Sequence, residues 1–198
     1  MSNASYNLFR GKLIGAKKPI ALKALSLAEK AHEGVFRKDG VPPYVEHPMQ
    51  VAAFLFELGI QDDTILATAL LHDVIEDCPD ETIKQQVFTQ FPKEVFEAVL
   101  LLSKPKEYDN KIYYENISKN PVATLVKLAD RAHNISTLYN FKEDKKARYL
   151  KETEDFVNPL IKYAQHNYYD YAGPIRILDL FIEANVKNLR VYVKENNE

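Results

Sequence analysis

Residues 64–77 read TILATALLHDVIED. The first eight residues carry no charge and are almost wholly apolar. His72, Asp73, Glu76 and Asp77 then bring four polar groups into six residues. Asp62 and Asp63 precede the run as helix N-cap candidates, and Pro79 closes it. The stretch therefore reads as one buried helix with a polar end. On a continuous helix His72 stacks over Glu76 and Asp73 over Asp77, one turn apart. An imidazole and three carboxylates would then share a single patch. Carboxylates are seldom buried unless paired or bound to metal, and a divalent cation would relieve their mutual repulsion.

Outward from this segment the apolar spacing stays helical. Upstream, Pro19 opens a helix to about His32, with Ala21, Leu25 and Ala28 on one face. RKDGVPPYVE (37–46) is a loop, broken by Gly40 and Pro42-Pro43. Pro48 starts a second helix that Gly59 stops. Downstream, helices are expected around ETIKQQVFTQF and KEVFEAVLLLS, then a polar loop SKPKEYDN (103–110). Pro121 opens a helix through VATLVKLADRAHNISTLY, and one long helix is expected from about Lys145 to Gln165. After Gly173-Pro174 a last helix carries Ile175, Leu178, Ile182, Val186, Leu189 and Val193. The expected fold class is all-α, a compact multi-helix bundle. One domain is expected over residues 5–198, with a motif-bearing core over 19–140 and C-terminal helices over 145–196.

Bulk properties narrow the function. With 198 residues and 46% hydrophobic content the chain can build a real core. A formal net charge of -2 lacks the basic excess of a general nucleic-acid binder. Cys78 is the only cysteine, which excludes an intrachain disulfide or a multi-thiolate metal site and fits the cytoplasm. No apolar stretch approaches the roughly 20 residues that span a bilayer, and the first twelve residues lack a signal-peptide centre. The reading is therefore no nucleic acid and no membrane.

Two further segments contribute chemistry. In LVKLADRAHNISTL (125–138), Leu125, Leu128 and Ala132 form an inward stripe. Asp130 lies at its edge and Asn134 one turn on. Asp130 reads either as a ligand or as a salt-bridge partner of Lys127 or Arg131. In YVEHP (44–48), His47 stands at a helix start, and neutral imidazole is the commonest metal ligand. His47, His72, Asp73 and Asp130 together make a mixed N/O set that suits manganese, iron or zinc better than calcium. Four protein ligands on an octahedral ion leave positions for water and substrate, where a metal acidifies water and polarises a phosphoryl oxygen. His32, His133 and Cys78 read as structural, and KEDKKARYLK (142–151) as a solvated helix face.

The ordered set His47, His72-Asp73, Asp130 resembles the H…HD…D signature of the HD-domain phosphohydrolase superfamily. FRKDG, YVEHP, ALLHDVIED and VKLADRAHN are similar to the hydrolase domain of the RelA/SpoT homologues, which cleaves the alarmone (p)ppGpp. The resemblance implies manganese on His47, His72, Asp73 and Asp130. It implies Glu76 and Asp77 as the pair that activates water or protonates the departing ribose oxygen. It also implies a small-molecule partner, a nucleotide, with contacts at Arg37 and Lys38 and a nucleoside pocket lined by Asn134 and Thr137. The expected reaction removes the 3′-pyrophosphate of (p)ppGpp, giving GDP or GTP and pyrophosphate. No synthetase activity is expected from a chain this short. In three places the sequence departs from the family: the loop before His47 is one residue longer, Asp39 stands where Ser or Thr is common, and LLLSKPKEYD (100–109) replaces the usual valine-threonine-lysine run. Two other readings stay open: a hydrolase for another nucleotide or phosphate ester, and a silent alarmone-binding module. A homo-oligomer is also left open.

Overall fold

The computed structural model describes residues 3–33, 45–105 and 107–195. Every regular element among them is helical, in agreement with the all-α expectation. They fall into two units, Met1–Tyr108 and Asp109–Glu198.

In the first unit the helices are α1 (Asn3–Gly15), α2 (Pro19–Ala31), α3 (Glu46–Glu57), α4 (Asp63–Leu71), α5 (Val74–Asp77), α6 (Glu81–Gln90) and α7 (Lys93–Leu102). The centre is α4, packed by α2, α3 and α7. Its residues Ile65 to Leu71 are all buried, as a helix apolar on every face must be. Its start is fixed by Asp62, whose Oδ1 accepts from the Thr64 and Ile65 N–H groups at 2.8 and 3.1 Å. Asp63 does something else. Its two carboxylate oxygens accept from Ile20 N–H at 2.9 Å and Ala21 N–H at 2.8 Å, capping the first turn of α2. Lys18 at the α2 N-cap makes no side-chain cap of its own, so α4 supplies it.

The end of α3 is equally determined. Gly59 has φ +88°, Ile60 N–H reaches Leu55 C=O at 3.1 Å, and Gly59 N–H reaches Phe56 C=O at 3.0 Å. This is a Schellman stop, with Ile60 and Leu55 both buried.

The second unit contains α8 (Asn110–Ser118), α9 (Pro121–Ser136), α10 (Glu143–Glu152), α11 (Asn158–Asn167) and α12 (Ala172–Glu195). Here α9 is central, packed by α8, α11 and α12. Residues Ala123 to Ala132 of α9 are buried without a break.

The elements differ from the sequence expectation in four places. The helix expected over 64–77 is interrupted: α4 ends at Leu71, His72-Asp73 form a turn, and α5 is a single further turn. Helix α1 is not singled out by periodicity, although Leu13 and Phe9 are buried. The stretch between the polar loop and Pro121 holds α8, capped by Asp109 on Ile112 N–H at 3.0 Å and burying Tyr113, Tyr114 and Ile117. The long helix expected over 145–165 is divided by a π-helical segment, Thr153–Val157. Pro159 explains it: proline lacks an N–H and its ring clashes with the carbonyl four residues back, so the ladder widens before it.

Candidate metal centre and active site

His47 lies in the first turn of α3 and is 4% exposed. His72 and Asp73 follow the last residue of α4 directly. The His72 Nδ1 lies 2.8 Å from the Ala69 carbonyl, one turn back. A carbonyl only accepts, so Nδ1 carries the proton and Nε2 presents its lone pair. That Nε2 is 3.2 Å from Asp73 Oδ1, and His47 Nε2 is 3.5 Å from Asp73 Oδ2. The two imidazoles meet edge to face, with centroids 5.2 Å apart.

One ligand atom from each of His47, His72 and Asp73 lies within 4.8 Å of the other two. Adjacent ligands about 2.1 Å from one ion stand about 3.0–3.4 Å apart in octahedral or tetrahedral geometry. The separations of 3.2 and 3.5 Å, one to each oxygen of Asp73, are close to that spacing. Two buried imidazoles and a partly exposed carboxylate thus make a donor set that fits a divalent cation. The interrupted helix is what makes the cluster: the turn lets consecutive side chains face one point while the His72 ring holds an α4 carbonyl.

The surrounding electrostatics are asymmetric. His32, at the C-terminus of α2, is 2% exposed. Burial pulls its pKa down to about 4, against a smaller upward pull from Asp73. It is therefore neutral at physiological pH. Glu76 and Asp77 sit on α5 with exposed side chains. The Glu76 Oε2 accepts from Lys104 N–H at 3.1 Å. Desolvation raises the Glu76 pKa, helped by the charges of Asp73 and Asp77 and opposed by the Lys104 N–H.

Asp130 lies on α9 in the second unit, 7% exposed. Of the two salt bridges that the sequence allows, the structure forms the one to Lys127, at 3.0 Å. Asn134 donates its Nδ2–H to the other oxygen of Asp130. Thr137, the C-cap of α9, donates its hydroxyl to carbonyls of the last turn, Asn134 C=O at 3.1 Å among them. Arg37 and Lys38 lie outside the described residues.

Sequence reasoning missed the polar layer behind Asp130. Buried Arg131 pairs with Glu152 at 2.7 Å, donates to the Tyr114 hydroxyl at 3.1 Å and stacks on the Tyr149 ring at 4.7 Å. Lys127 lies 5.7 Å from the Tyr113 ring centroid. Burial works against the Lys127 ammonium, but Tyr113 and Asp130 beside it keep its pKa above the ordinary lysine value. The available signal was two basic residues, 127 and 131, inside an otherwise apolar helix face.

Comparison with known proteins places these features. The HD domain profile matches residues 24–162. The bifunctional (p)ppGpp synthase/hydrolase SpoT of Escherichia coli K12 is 40% identical over 147 residues, 70% of this chain and 21% of SpoT. A guanosine-3′,5′-bis(diphosphate) 3′-pyrophosphohydrolase of Haemophilus influenzae is 39% identical over 144 residues, 68% of this chain and 21% of that protein. The chain thus spans about a fifth of the length of these curated relatives. Among solved structures, a metazoan orthologue of SpoT, described as hydrolysing ppGpp, shares the fold. The TM-score is 0.68 at 24% identity, over 86% of this chain and 95% of that one. With the profile running through His47, His72-Asp73 and Asp130, the chain belongs to the HD domain family.

Proposed function

We propose that this protein hydrolyses the 3′-pyrophosphate of (p)ppGpp, using manganese, and releases pyrophosphate with GDP or GTP. The carrying observation is the His47–His72–Asp73 cluster, within the matched HD domain of a chain 40% identical over 147 residues to a bifunctional (p)ppGpp synthase/hydrolase. His47, His72 and Asp73 would hold the ion, with Asp130 as the fourth ligand of the family pattern. When bound, a divalent cation acidifies water and polarises a phosphoryl oxygen. The chain's own residues do the rest. His72 is kept in one tautomer by Ala69 C=O, so Nε2 is the ring nitrogen that would meet the ion. Glu76 and Asp77 would be the pair that activates water or protonates the departing 3′ oxygen. Arg37 and Lys38 would meet the nucleotide, and Asn134 and Thr137 the nucleoside. The two units carry the motifs in family order, and we treat them as one hydrolase domain acting in the cytoplasm. Among the described residues no helix is long and apolar enough to cross a membrane.

The test is direct. Purified protein with ppGpp and manganese should release pyrophosphate, and GDP should not be a substrate. Full metal occupancy without release would defeat the proposal, and faster turnover of a nucleotide lacking a 3′-pyrophosphate would reassign the substrate.

A further inference from the structure

Glu76 and Asp77 stand on a helix of one turn. Asp77 N–H closes it on Asp73 C=O at 2.9 Å, and Cys78 N–H on Val74 C=O at 3.2 Å. A turn this short has little stability of its own, and a glutamate has a large rotamer freedom to lose. Helix α5 therefore does not by itself decide where the exposed Glu76 carboxylate points. The end of α7 does. Ser103 folds back on that helix: its N–H and its hydroxyl both donate to Val99 C=O, at 3.0 and 2.9 Å. Its backbone is extended, with φ -74° and ψ 126°, so the chain leaves α7 there. The next amide, Lys104 N–H, donates to Glu76 Oε2 at 3.1 Å, across 28 residues of sequence. A main-chain donor is indifferent to the side chain that carries it, which matters in a stretch that departs from the family's usual run. The Lys104 ammonium acts separately. It lies 5.0 Å from the Tyr108 ring centroid, and its charge also favours the Glu76 carboxylate.

We propose that Lys104 is a positioning residue, whose main-chain N–H holds the Glu76 carboxylate in its working orientation; this rests on the reading of Glu76 and Asp77 as the acid–base pair. The bond ties one carboxylate oxygen to the end of α7, and α7 packs on α4, the helix that leads into His72. Glu76 is thereby referenced to the same scaffold as the His47–His72–Asp73 cluster, all within the first unit. Misplacing a reacting group by about 1 Å costs on the order of 100-fold in rate. Loss of one neutral tether leaves Glu76 wandering through its rotamers, not fixed in a wrong one, so the cost here is nearer tenfold.

The experiment compares ppGpp hydrolysis, at saturating manganese, in the full chain and in Lys104→Pro, Lys104→Ala, Glu76→Gln and Lys104→Pro/Glu76→Gln, each checked for fold by circular dichroism. Proline removes the N–H. The loop accepts it, because extended Ser103 already has the conformation required before proline, and Lys104, preceding Pro105, is held to the same region. Lys104→Pro should lower kcat about tenfold with KM unchanged. Lys104→Ala loses the ammonium but keeps the N–H, and should recover most of that loss. Glu76→Gln should fall about 100-fold, and adding Lys104→Pro to it should cost nothing more, since the tether acts through that carboxylate. A merely structural effect would raise KM or add to the Glu76→Gln loss. Equal losses in Lys104→Pro and Lys104→Ala, or wild-type kcat in Lys104→Pro beside an impaired Glu76→Gln, overturn the tether and leave the catalytic reading intact. Wild-type turnover in Glu76→Gln removes the catalytic reading and the tether with it. Should Lys104→Pro not fold, hydrogen exchange of the metal-free protein decides: the Lys104 amide should exchange several-fold faster in Glu76→Ala than in the wild type, and an unchanged rate overturns the proposal.

Discussion

The two units hold their candidate ligands by different means. In the first, the main chain does the holding. His47 is placed by the opening of α3, whose far end is fixed by the Gly59 stop. His72 is locked onto an α4 carbonyl, and Asp73 is aimed by a turn. In the second, side chains do it. Asp130 sits in mid-helix, where the backbone leaves a side chain its rotamers, and Lys127 and Asn134 supply the constraint. Buried charge follows the same division. His32 of the first unit is dry and neutral, whereas Lys127 and Arg131 of the second are charged and paired.

The largest effect should come from the backbone-held cluster itself. Asp73→Ala removes the carboxylate between the two imidazoles. Turnover of ppGpp should fall by about 10³-fold or more, in line with the several kcal/mol that a metal ion supplies. Pyrophosphate release at saturating manganese measures it, and near-normal turnover would break the assignment of the site to the first unit.

The next effect sharpens the contrast in buried charge. The folded pKa of His32, about 4, lies below its unfolded value of 6.5. Between those values the unfolded chain binds more protons, so stability declines as pH falls from 6.5 towards 4 and levels off below. Linkage sets the loss at up to about 3 kcal/mol. Urea unfolding of metal-free protein at pH 7, 5.5 and 4 should show the decline, and His32→Gln should flatten it. An equal decline in that variant would assign the effect elsewhere.

Two smaller tests address the scaffold. Asp63→Ala should cost about 1–2 kcal/mol, because the first-turn amides of α2 lose their cap. A lowered Tm would register it. Gly59→Ala meets no atom within 4 Å of the new Cβ, so only the left-handed backbone is penalised, at about 1 kcal/mol. No loss in Tm would mean that the α3 stop does not depend on glycine.

Much of this was legible in the sequence, for identifiable reasons. The α4 run, the Asp62 cap and the Gly59 stop are local signals, and the structure carries each. The break at His72-Asp73 was not legible, because Val74 to Asp77 resume the helical pattern. Only the side-chain bond to Ala69 C=O reveals the turn. Helix α8 hides its buried face in two tyrosines and one isoleucine within a polar stretch. The π segment depends on an unmade hydrogen bond at Pro159. For the site, the motif order named His47, His72 and Asp73, which the structure brings together. Lys127 was legible as an ion-pair partner of Asp130, which the structure forms. Its burial against Tyr113 is a tertiary fact.

The borrowed cap on α2 has a kinetic consequence. The amides of Ile20 and Ala21 are bonded to a carboxylate more than forty residues away, at the head of the helix that leads into His72. Their hydrogen exchange should therefore slow only once α4 has docked, however early α2 itself coils. Two ordinary amides near the N-terminus become a clock for the assembly of the metal-site helix, readable by exchange labelling without any metal or nucleotide present.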